Sequence, residues 1–389
     1  MHTLRHSARH CVSLMGIAAG LLILLQSAAS HSIEPDIPQI QADAERGSVQ
    51  YEIKLGTAYL AGRGVIQDEK QAAYWYEKAA NAGDPFAENQ IGYLYQVGLG
   101  VTRDPVRAVH WYELAAAGGF PKAKVNLGVA YLWGVGVKKD EGLAAQLFTE
   151  AAAKGSGLGA CYLGNMYLLG EGMQKDRSAA RHWFEVGVKL GDPRAEYSLG
   201  LFLSTDPART EDLKRAVKLM RASADAGLVA AKHELGYLLV QNPQLAHSPK
   251  EAVTLLEGAA AAGSWKSSLI LGVLARDGRG ASVDLEGAYY HFRVATLQGG
   301  DTASELLRND LQILAAKLGA ERARAVDSDA GAWYQTHHLS LAYVYQSGEN
   351  WKQDPFFALE SPEGDIHAGR IIPTSPFSSS ITSAATGLD

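Results

Sequence analysis

Cysteine is nearly absent from this sequence. It occurs twice in 389 residues, at Cys11 and Cys161. Cys11 lies in an N-terminal segment that we expect to be removed, so the mature chain would keep one thiol and could form no intrachain disulfide. We expect Cys161 to be a packed or half-exposed thiol, because no signature of a cysteine nucleophile accompanies it.

Concentrated positive charge is also missing. The formal net charge is −6, and no run of like charge exceeds two residues. Nucleic-acid binding depends on clustered lysine and arginine, so we expect no nucleic acid among the partners. The 47% apolar fraction is largely alanine and leucine with few β-branched runs, which favours helices.

Motifs for catalysis and metal binding are scarce. No serine stands three residues before a lysine, and S-D-N and K-T-G are absent, so the motif set of serine β-lactamases is missing. His233-Glu234 begins like H-E-x-x-H, but Tyr237 takes the place of the second zinc ligand. His110 and His182 each stand beside a tryptophan, 72 residues apart, and we interpret them as helix surface. We expect no catalytic residue, no metal and no cofactor.

Residues 1–30 resemble a secretory signal. Arg5 and Arg9 precede an apolar core at 12–25, and small residues follow at 27–30. The apolar run is short for a membrane span, and no cysteine follows that could carry lipid. We therefore predict cleavage and a periplasmic or secreted protein. The alternative is an uncleaved anchor, which would make the protein a membrane-tethered regulator.

A 36-residue period organises the chain. One glycine recurs at every step, and an apolar residue followed by glycine recurs inside each period. A strict period of this length indicates a solenoid or a similar array. The two series are Gly47, Gly83, Gly119, Gly155, Gly191, Gly227, Gly263 and Gly299, and Leu55-Gly56, Ile91-Gly92, Leu127-Gly128, Leu163-Gly164, Leu199-Gly200, Leu235-Gly236 and Leu271-Gly272.

Each period predicts two helices, as the segment 83–118 illustrates. Helix A starts after the cap Asp84 and presents one apolar face at the spacing of an α-helix. A loop with two glycines ends it, and Asp104 is placed to cap helix B. The cap recurs at Asp68, Asp140, Asp176, Asp212 and Asp284. One hairpin cannot bury its own apolar faces, so neighbours must stack.

This pattern, A-x-x-x-L-G-x-x-Y-x-x-G-x-G-V-x-x-D-x-x-x-A-x-x-W-Y-x-x-A-A-x-x-G, resembles the Sel-one-like repeat, a relative of the tetratricopeptide repeat. The match covers 47–299. The resemblance implies an all-α, right-handed superhelical solenoid that acts as a scaffold for protein contacts, often secreted or at the bacterial envelope. Some secreted cysteine-rich members are linked to β-lactam binding or hydrolysis, but their paired cysteines are missing here.

The remaining segments depart from the period. Residues 31–46, with two prolines, predict an extended lead-in, and 47–299 predict about seven repeats. The loops at 204–211 and 241–248 keep their length but lack glycine, so local curvature there stays open. Residues 300–348 predict a helical cap with a hairpin, and the Pro-, Ser-, Thr- and Gly-rich segment 349–389 predicts a mostly disordered tail.

Candidate binding residues lie on helix A, outside its core stripe. In related solenoids helix A lines the concave side, so these positions would face a groove. Tyrosine, tryptophan and asparagine there could hold a protein or peptide partner. The ten candidates are Asn89, Gln90, Tyr93, Asn126, Trp133, Tyr162, Asn165, Tyr197, His233 and Tyr237. We predict a monomeric, non-catalytic scaffold; the alternative is an envelope enzyme acting on cell-wall peptide or β-lactam.

Overall fold

The computed structural model describes residues 37–205, 210–279 and 281–338, and all regular structure in these ranges is helical. The α-helices are α1 Ile37–Glu45, α2 Val49–Ala61, α3 Glu69–Asn81, α4 Pro85–Val97, α5 Pro105–Ala117, α6 Pro121–Trp133, α7 Glu141–Ala153, α8 Gly157–Leu169, α9 Arg177–Lys189, α10 Pro193–Ser204, α11 Thr210–Asp225, α12 Val229–Gln241, α13 Glu251–Ala261, α14 Trp265–Asp277, α15 Leu285–Leu318 and α16 Ala320–His338. A short 3₁₀ helix spans Pro243–Leu245.

The helices form consecutive antiparallel pairs. From α2 onward, each even-numbered helix up to α14 is a helix A and the next helix is its helix B. Each helix packs against the one before and the one after it, which gives a solenoid-like stack of seven pairs with further helices at both ends. The all-α repeat fold predicted from the period is confirmed.

Inside each pair, the glycine of the Leu-Gly motif lets helix B approach helix A. A Cβ atom on Gly92 would lie 2.9 Å from the ring of Tyr112, which is fully buried. The same Cβ on Gly164 would lie 2.4 Å from the ring of Phe184. Real Cβ contacts are not this short, so a side chain at these positions would push the two helices apart.

The two glycines of the loop between helices have different tasks. Gly98 takes the left-handed conformation (φ +78°) and its N–H donates to the Leu94 carbonyl, which ends α4. Gly100 also has positive φ (+71°), and a Cβ there would lie 2.0 Å from the Glu69 carbonyl of the preceding repeat. The first glycine therefore ends a helix, and the second allows neighbouring repeats to meet.

The predicted aspartate caps are present at five of the six positions. Asp104 accepts from the N–H groups of Val106 and Arg107, and its own N–H donates to the Tyr95 carbonyl at 2.8 Å. Equivalent caps are found at Asp68, Asp140, Asp176 and Asp284. The prediction is wrong for Asp212, because α11 begins at Thr210 and Asp212 lies within its first turn. A carboxylate there still favours the positive end of the helix dipole.

The loop at 241–248 shows how a repeat manages without the two glycines. Asn242, with φ −130°, donates both its N–H and its side-chain amide to the Leu238 carbonyl. The 3₁₀ turn Pro243–Leu245 follows directly. The asparagine thus satisfies the carbonyl at the end of α12 without a left-handed residue. In the other such loop, residues 206–209 lie outside the described part.

The prediction of an extended lead-in is wrong for residues 37–45, which form α1. Pro38 is the second residue of this helix, where a backbone N–H has no partner within the helix and its absence costs little. Ala44 and Ile40 pack with Leu55 and Trp75 of the first repeat. The helix therefore covers the N-terminal end of the stack.

The C-terminal end is closed by two further helical segments. Gly300 (φ 56°, ψ −138°) breaks α15, and α15 packs against α16. Arg276 of the last helix A donates to Asp310 at 2.9 Å; the Asp310 side chain is buried and that of Arg276 is largely covered. Residues 1–36 and 339–389 lie outside the described part, so the predicted signal, the end of the cap and the tail remain predictions.

Candidate partner-binding surface

Short side chains join successive A helices. Asn126 Nδ2 donates to Asn89 Oδ1 at 2.8 Å, and Cys161 Sγ lies 3.2 Å from Ser198 Oγ. The first pair joins α4 to α6, and the second joins α8 to α10. Each pair spans 37 residues, so the same two positions of the repeat meet each time. The A helices must therefore lie close together.

Long charged side chains join successive B helices instead. Arg107 reaches Glu77 at 3.4 Å, and Arg215 reaches Glu185 at 3.1 Å. These side chains span a wider gap than asparagine or serine could. Successive A helices therefore lie closer together than successive B helices. Because a stack curves toward its more closely spaced layer, we infer that the A helices form the inner layer.

Helical geometry identifies the positions that point away from helix B. At about 100° per residue, two positions nine residues apart lie on opposite sides of a helix. Tyr95 of α4 points toward the layer of B helices, because its hydroxyl donates at 3.0 Å to Glu77 of α3, the helix B of the preceding repeat. Phe86 therefore lies on the opposite side, together with Tyr93 and Val97 two and three turns later. Gln90, one turn after Phe86, lies at the edge of this side, where it still reaches the Tyr76 hydroxyl of α3. We call this side of the A helices the inner face.

Three predicted candidates belong to a polar chain that crosses three repeats. Thr57 Oγ1 lies 2.8 Å from the Tyr76 hydroxyl, which is also hydrogen-bonded to Gln90. Asn89 Nδ2 is 3.3 Å from Gln90 Oε1, and Asn126 donates to Asn89. Burial raises the pKa of Tyr76 to about 12, so the hydroxyl stays protonated. Asn126 Oδ1 is buried with no hydrogen-bond partner in the described part.

Most of the predicted binding residues are buried in the structure. Seven of the ten have less than 9% of their surface exposed: Asn89, Tyr93, Asn126, Tyr162, Asn165, Tyr197 and Tyr237. Gln90, Trp133 and His233 are half-buried. The Tyr162 ring, for example, stacks on Phe148 at 4.8 Å and 8°. These seven side chains therefore offer little surface to a partner, and their role in partner binding stays a prediction.

His233 is held as a neutral side chain. Its Nδ1 lies 2.8 Å from Ser267 Oγ, which joins α12 to α14. Burial and, to a lesser extent, the positive charge of Lys266 lower the pKa of His233 to about 4. Ser267 is fully buried. A substrate could not reach this serine, so the contact is structural, like the asparagine pair.

Cys161 is a packed thiol. It is 5% exposed, and burial raises its pKa to about 12. The nearby carboxylate of Asp192 acts in the same direction. A thiol that stays protonated is a poor nucleophile, which agrees with the interpretation from sequence.

Sequence reasoning missed a row of basic residues on the inner face. Lys122, Arg194 and Lys266 are equivalent to Phe86 and recur every 72 residues, in every second repeat. Lys266 is exposed, and the other two are half-buried. The spacing was visible in the sequence, but which side of helix A these residues occupy depends on where helix B packs.

No three His, Cys, Asp or Glu side chains of the described ranges are grouped so that they could hold a metal ion. Among the helices described above, none is both long and apolar enough to cross a membrane.

Comparison with one solved structure supports the fold, and two others are reported with it. A Sel1 repeat protein from Oxalobacter formigenes is 28% identical, with a TM-score of 0.55 over 64% of this chain and 98% of that chain. A protective antigen of uropathogenic Escherichia coli with an SLR fold is 25% identical, with a TM-score of 0.44 over 81% of this chain and 73% of that one. An immunity protein of Pseudomonas aeruginosa is 19% identical, with a TM-score of 0.40 over 53% and 80%. No curated protein matches the sequence.

The Sel1 repeat model matches more than half of the chain. The pair α12 and α13 lies outside the six matches, although its Gly236 would place a Cβ 2.8 Å from Leu256, as in the matched pairs. This pair therefore keeps the repeat fold without the loop glycines. The matches fall at 50–84, 85–120, 121–156, 158–192, 193–228 and 267–300. The chain belongs to the Sel1 repeat family.

Proposed function

We propose that this protein is a non-catalytic scaffold of the cell envelope or secreted space that binds a protein or peptide on its inner face. The observation that carries the proposal is the row of basic residues there. Packing dictates the residues that face helix B, such as Gly92 against Tyr112. The repeat pattern does not require a basic residue at Lys122 or Lys266, and a row of basic residues on the inner side of a stack suits a ligand.

The experiment compares two charge-reversal variants of the full chain. The first carries Lys122→Glu and Lys266→Glu on the inner face. The second carries Lys138→Glu and Lys218→Glu, which are exposed and lie in a loop and on a B helix. Pulldowns from envelope extract, read by mass spectrometry, identify the captured proteins. We expect the first variant to lose a partner that the second retains, with equal melting temperatures; equal capture by both would contradict the proposal.

Export is part of the proposal and is tested separately. Sequencing the N-terminus of the mature protein from cells distinguishes cleavage after about residue 30 from an uncleaved anchor. An intact Met1 in the membrane fraction would instead support the membrane-tethered regulator.

A hydrolase is the alternative function class. In the described residues, the contact between Ser267 and His233 is the arrangement most like a hydrolase site. The burial of Ser267 argues against a hydrolase, because a substrate could not reach this serine. Nitrocefin turnover by the purified chain that is lost on Ser267→Ala would overturn the non-catalytic proposal.

A further inference from the structure

The inner face carries a net positive charge in an acidic protein. Its basic residues are Lys54, Lys122, Arg194 and Lys266, and its acidic ones are Glu234 and Asp277. Asp277 accepts a hydrogen bond from Arg276 at 2.7 Å, and Arg276 also donates to Asp310, so the basic residues of the face outnumber its acidic ones by four to two. Asp192, next to the face, likewise accepts from Arg194 at 3.3 Å. The face as a whole therefore suits an acidic ligand.

The basic row alternates with apolar residues. At the same repeat position, Phe86, Leu158 and Ala230 stand in the repeats just before those with Lys122, Arg194 and Lys266, and Gln50 stands in the first repeat. Phe86 packs edge-on against Phe120 with ring centroids 6.1 Å apart, which leaves an apolar step in the row. A ligand that follows the stack would meet positive and apolar steps in turn.

The distance between successive basic residues determines how far apart the acidic residues of an extended ligand must be. Packed helices lie about 8–10 Å apart, so two steps of the stack cover about 16–20 Å. An extended chain advances about 3.3 Å per residue. Acidic residues five or six positions apart, with apolar residues between them, would therefore match successive basic residues.

This chain contains such a segment at 349–366. Glu349, Asp354 and Glu360 are five and six positions apart. The segment has five acidic residues and one basic residue, Lys352, and its apolar residues between the three acids are Trp351, Phe356, Phe357, Ala358 and Leu359. We propose that segment 349–366 binds the inner face of its own chain, with Glu349, Asp354 and Glu360 opposite Lys266, Arg194 and Lys122 in that order.

The connection is long enough for this order. Ten residues separate His338, at the end of α16, from Glu349. Extended, they reach about 36 Å, and α16 packs on α15, the partner of the helix that carries Lys266. The segment would act as a tethered ligand that an external partner must displace. The inference rests on the inner face being the binding surface of the proposed function.

Limited trypsin digestion of the full chain tests it. Lys352 lies inside the proposed segment and Arg370 lies outside it, so the ratio of the two cleavage rates is an internal measure of protection. A synthetic peptide of residues 345–375 gives the intrinsic ratio. Exposed ion pairs are individually weak, so we expect three of them to make the cleavage rate at Lys352 about tenfold lower in the full chain than in the peptide.

Three variants of the full chain separate the possible causes. Lys122→Glu with Lys266→Glu, and Glu349→Gln with Asp354→Asn and Glu360→Gln, should each restore cleavage at Lys352 to nearly the peptide rate. Lys138→Glu with Lys218→Glu should leave it unchanged. Equal ratios in chain and peptide, or protection that none of the variants alters, would overturn the inference. Protection that weakens on dilution would overturn it in favour of binding between two copies.

A binding experiment with the separate peptide still tests the inference if one of these variants fails to fold. Labelled peptide 349–366 should bind the Glu349→Gln, Asp354→Asn, Glu360→Gln chain more tightly than the unaltered chain, and high salt should weaken the binding. No binding to either would count against the inference. Protection of Lys352 with no partner in any pulldown would contradict the proposed function and leave this inference standing.

Discussion

Arg276 Nη1 donates to Asp310 Oδ1 at 2.9 Å and joins the last helix A to the cap. Their side chains are 11% and 6% exposed. Arg276 Nε also donates to Asp277 at 2.7 Å, so the guanidinium is held by two carboxylates. Hydrogen bonds to both raise the pKa of Arg276. The cap, which has lost the repeat pattern, is thus anchored by a buried ion pair as well as by apolar packing.

Removing one partner of this pair should loosen the cap. Asp310→Ala leaves a buried charge with one carboxylate instead of two, and we expect a loss of about 2–4 kcal/mol in the free energy of unfolding. Asp277→Ala, which removes the more exposed carboxylate, should cost less. Urea denaturation followed by tryptophan fluorescence measures both. Equal midpoints for Asp310→Ala and the unaltered chain would show that the ion pair does not stabilise the cap.

Stability should fall in mild acid because of His233. Its pKa in the folded chain is about 4, below the ordinary value of 6.5. Between these values the unfolded chain binds the proton and the folded one does not, so the contribution is full above about pH 6.5 and is lost as the pH falls toward 4. The difference amounts to at most about 3 kcal/mol.

Urea midpoints between pH 7.5 and 4.5 measure this effect, and His233→Gln should flatten the curve. Burial also lowers the pKa of His291, which adds a contribution of the same sign. His182→Gln is the matched control, since this side chain is exposed. A pH dependence that is the same with and without His233 would refute the assignment.

Two glycines with positive φ should respond differently to alanine. A Cβ added to Gly83 (φ +85°) would have no neighbour within 4 Å, so Gly83→Ala bears only the strain of the left-handed conformation, about 1–2 kcal/mol. Gly100→Ala adds a collision with the Glu69 carbonyl at 2.0 Å. We expect it to cost about 1–3 kcal/mol more. Thermal melts compare the two; equal losses would mean that the neighbouring repeats do not need this close approach.

The two asparagines should be energetically coupled. Asn126→Ala leaves Asn89 Oδ1 buried without its donor, at a cost of about 1–3 kcal/mol. Once Asn89 is also alanine, the second substitution should cost about 1 kcal/mol less. A double-mutant cycle in urea gives the coupling. Additive losses would show that the hydrogen bond between α4 and α6 contributes nothing measurable.

The candidate site was only partly accessible to sequence reasoning. The sequence placed the candidates on helix A, and it identified Asn89, Gln90 and Asn126 as unusual residues. The sequence could not distinguish a residue that contacts the next helix A from one that faces solvent on the inner face, because both lie off the apolar stripe. For that reason seven of the ten predicted residues are buried, and the prediction passed over Lys122 and its equivalents.

The sequence by itself determined the repeat. Its period, the loop glycines and the aspartate caps act within a few residues or between immediate neighbours, so each repetition carries the same information. The tertiary structure alone decided α1, the buried Arg276–Asp310 anchor and the orientation of the inner face. These depend on contacts between residues far apart in the chain, or on the direction in which helix B packs, and a one-dimensional period contains neither.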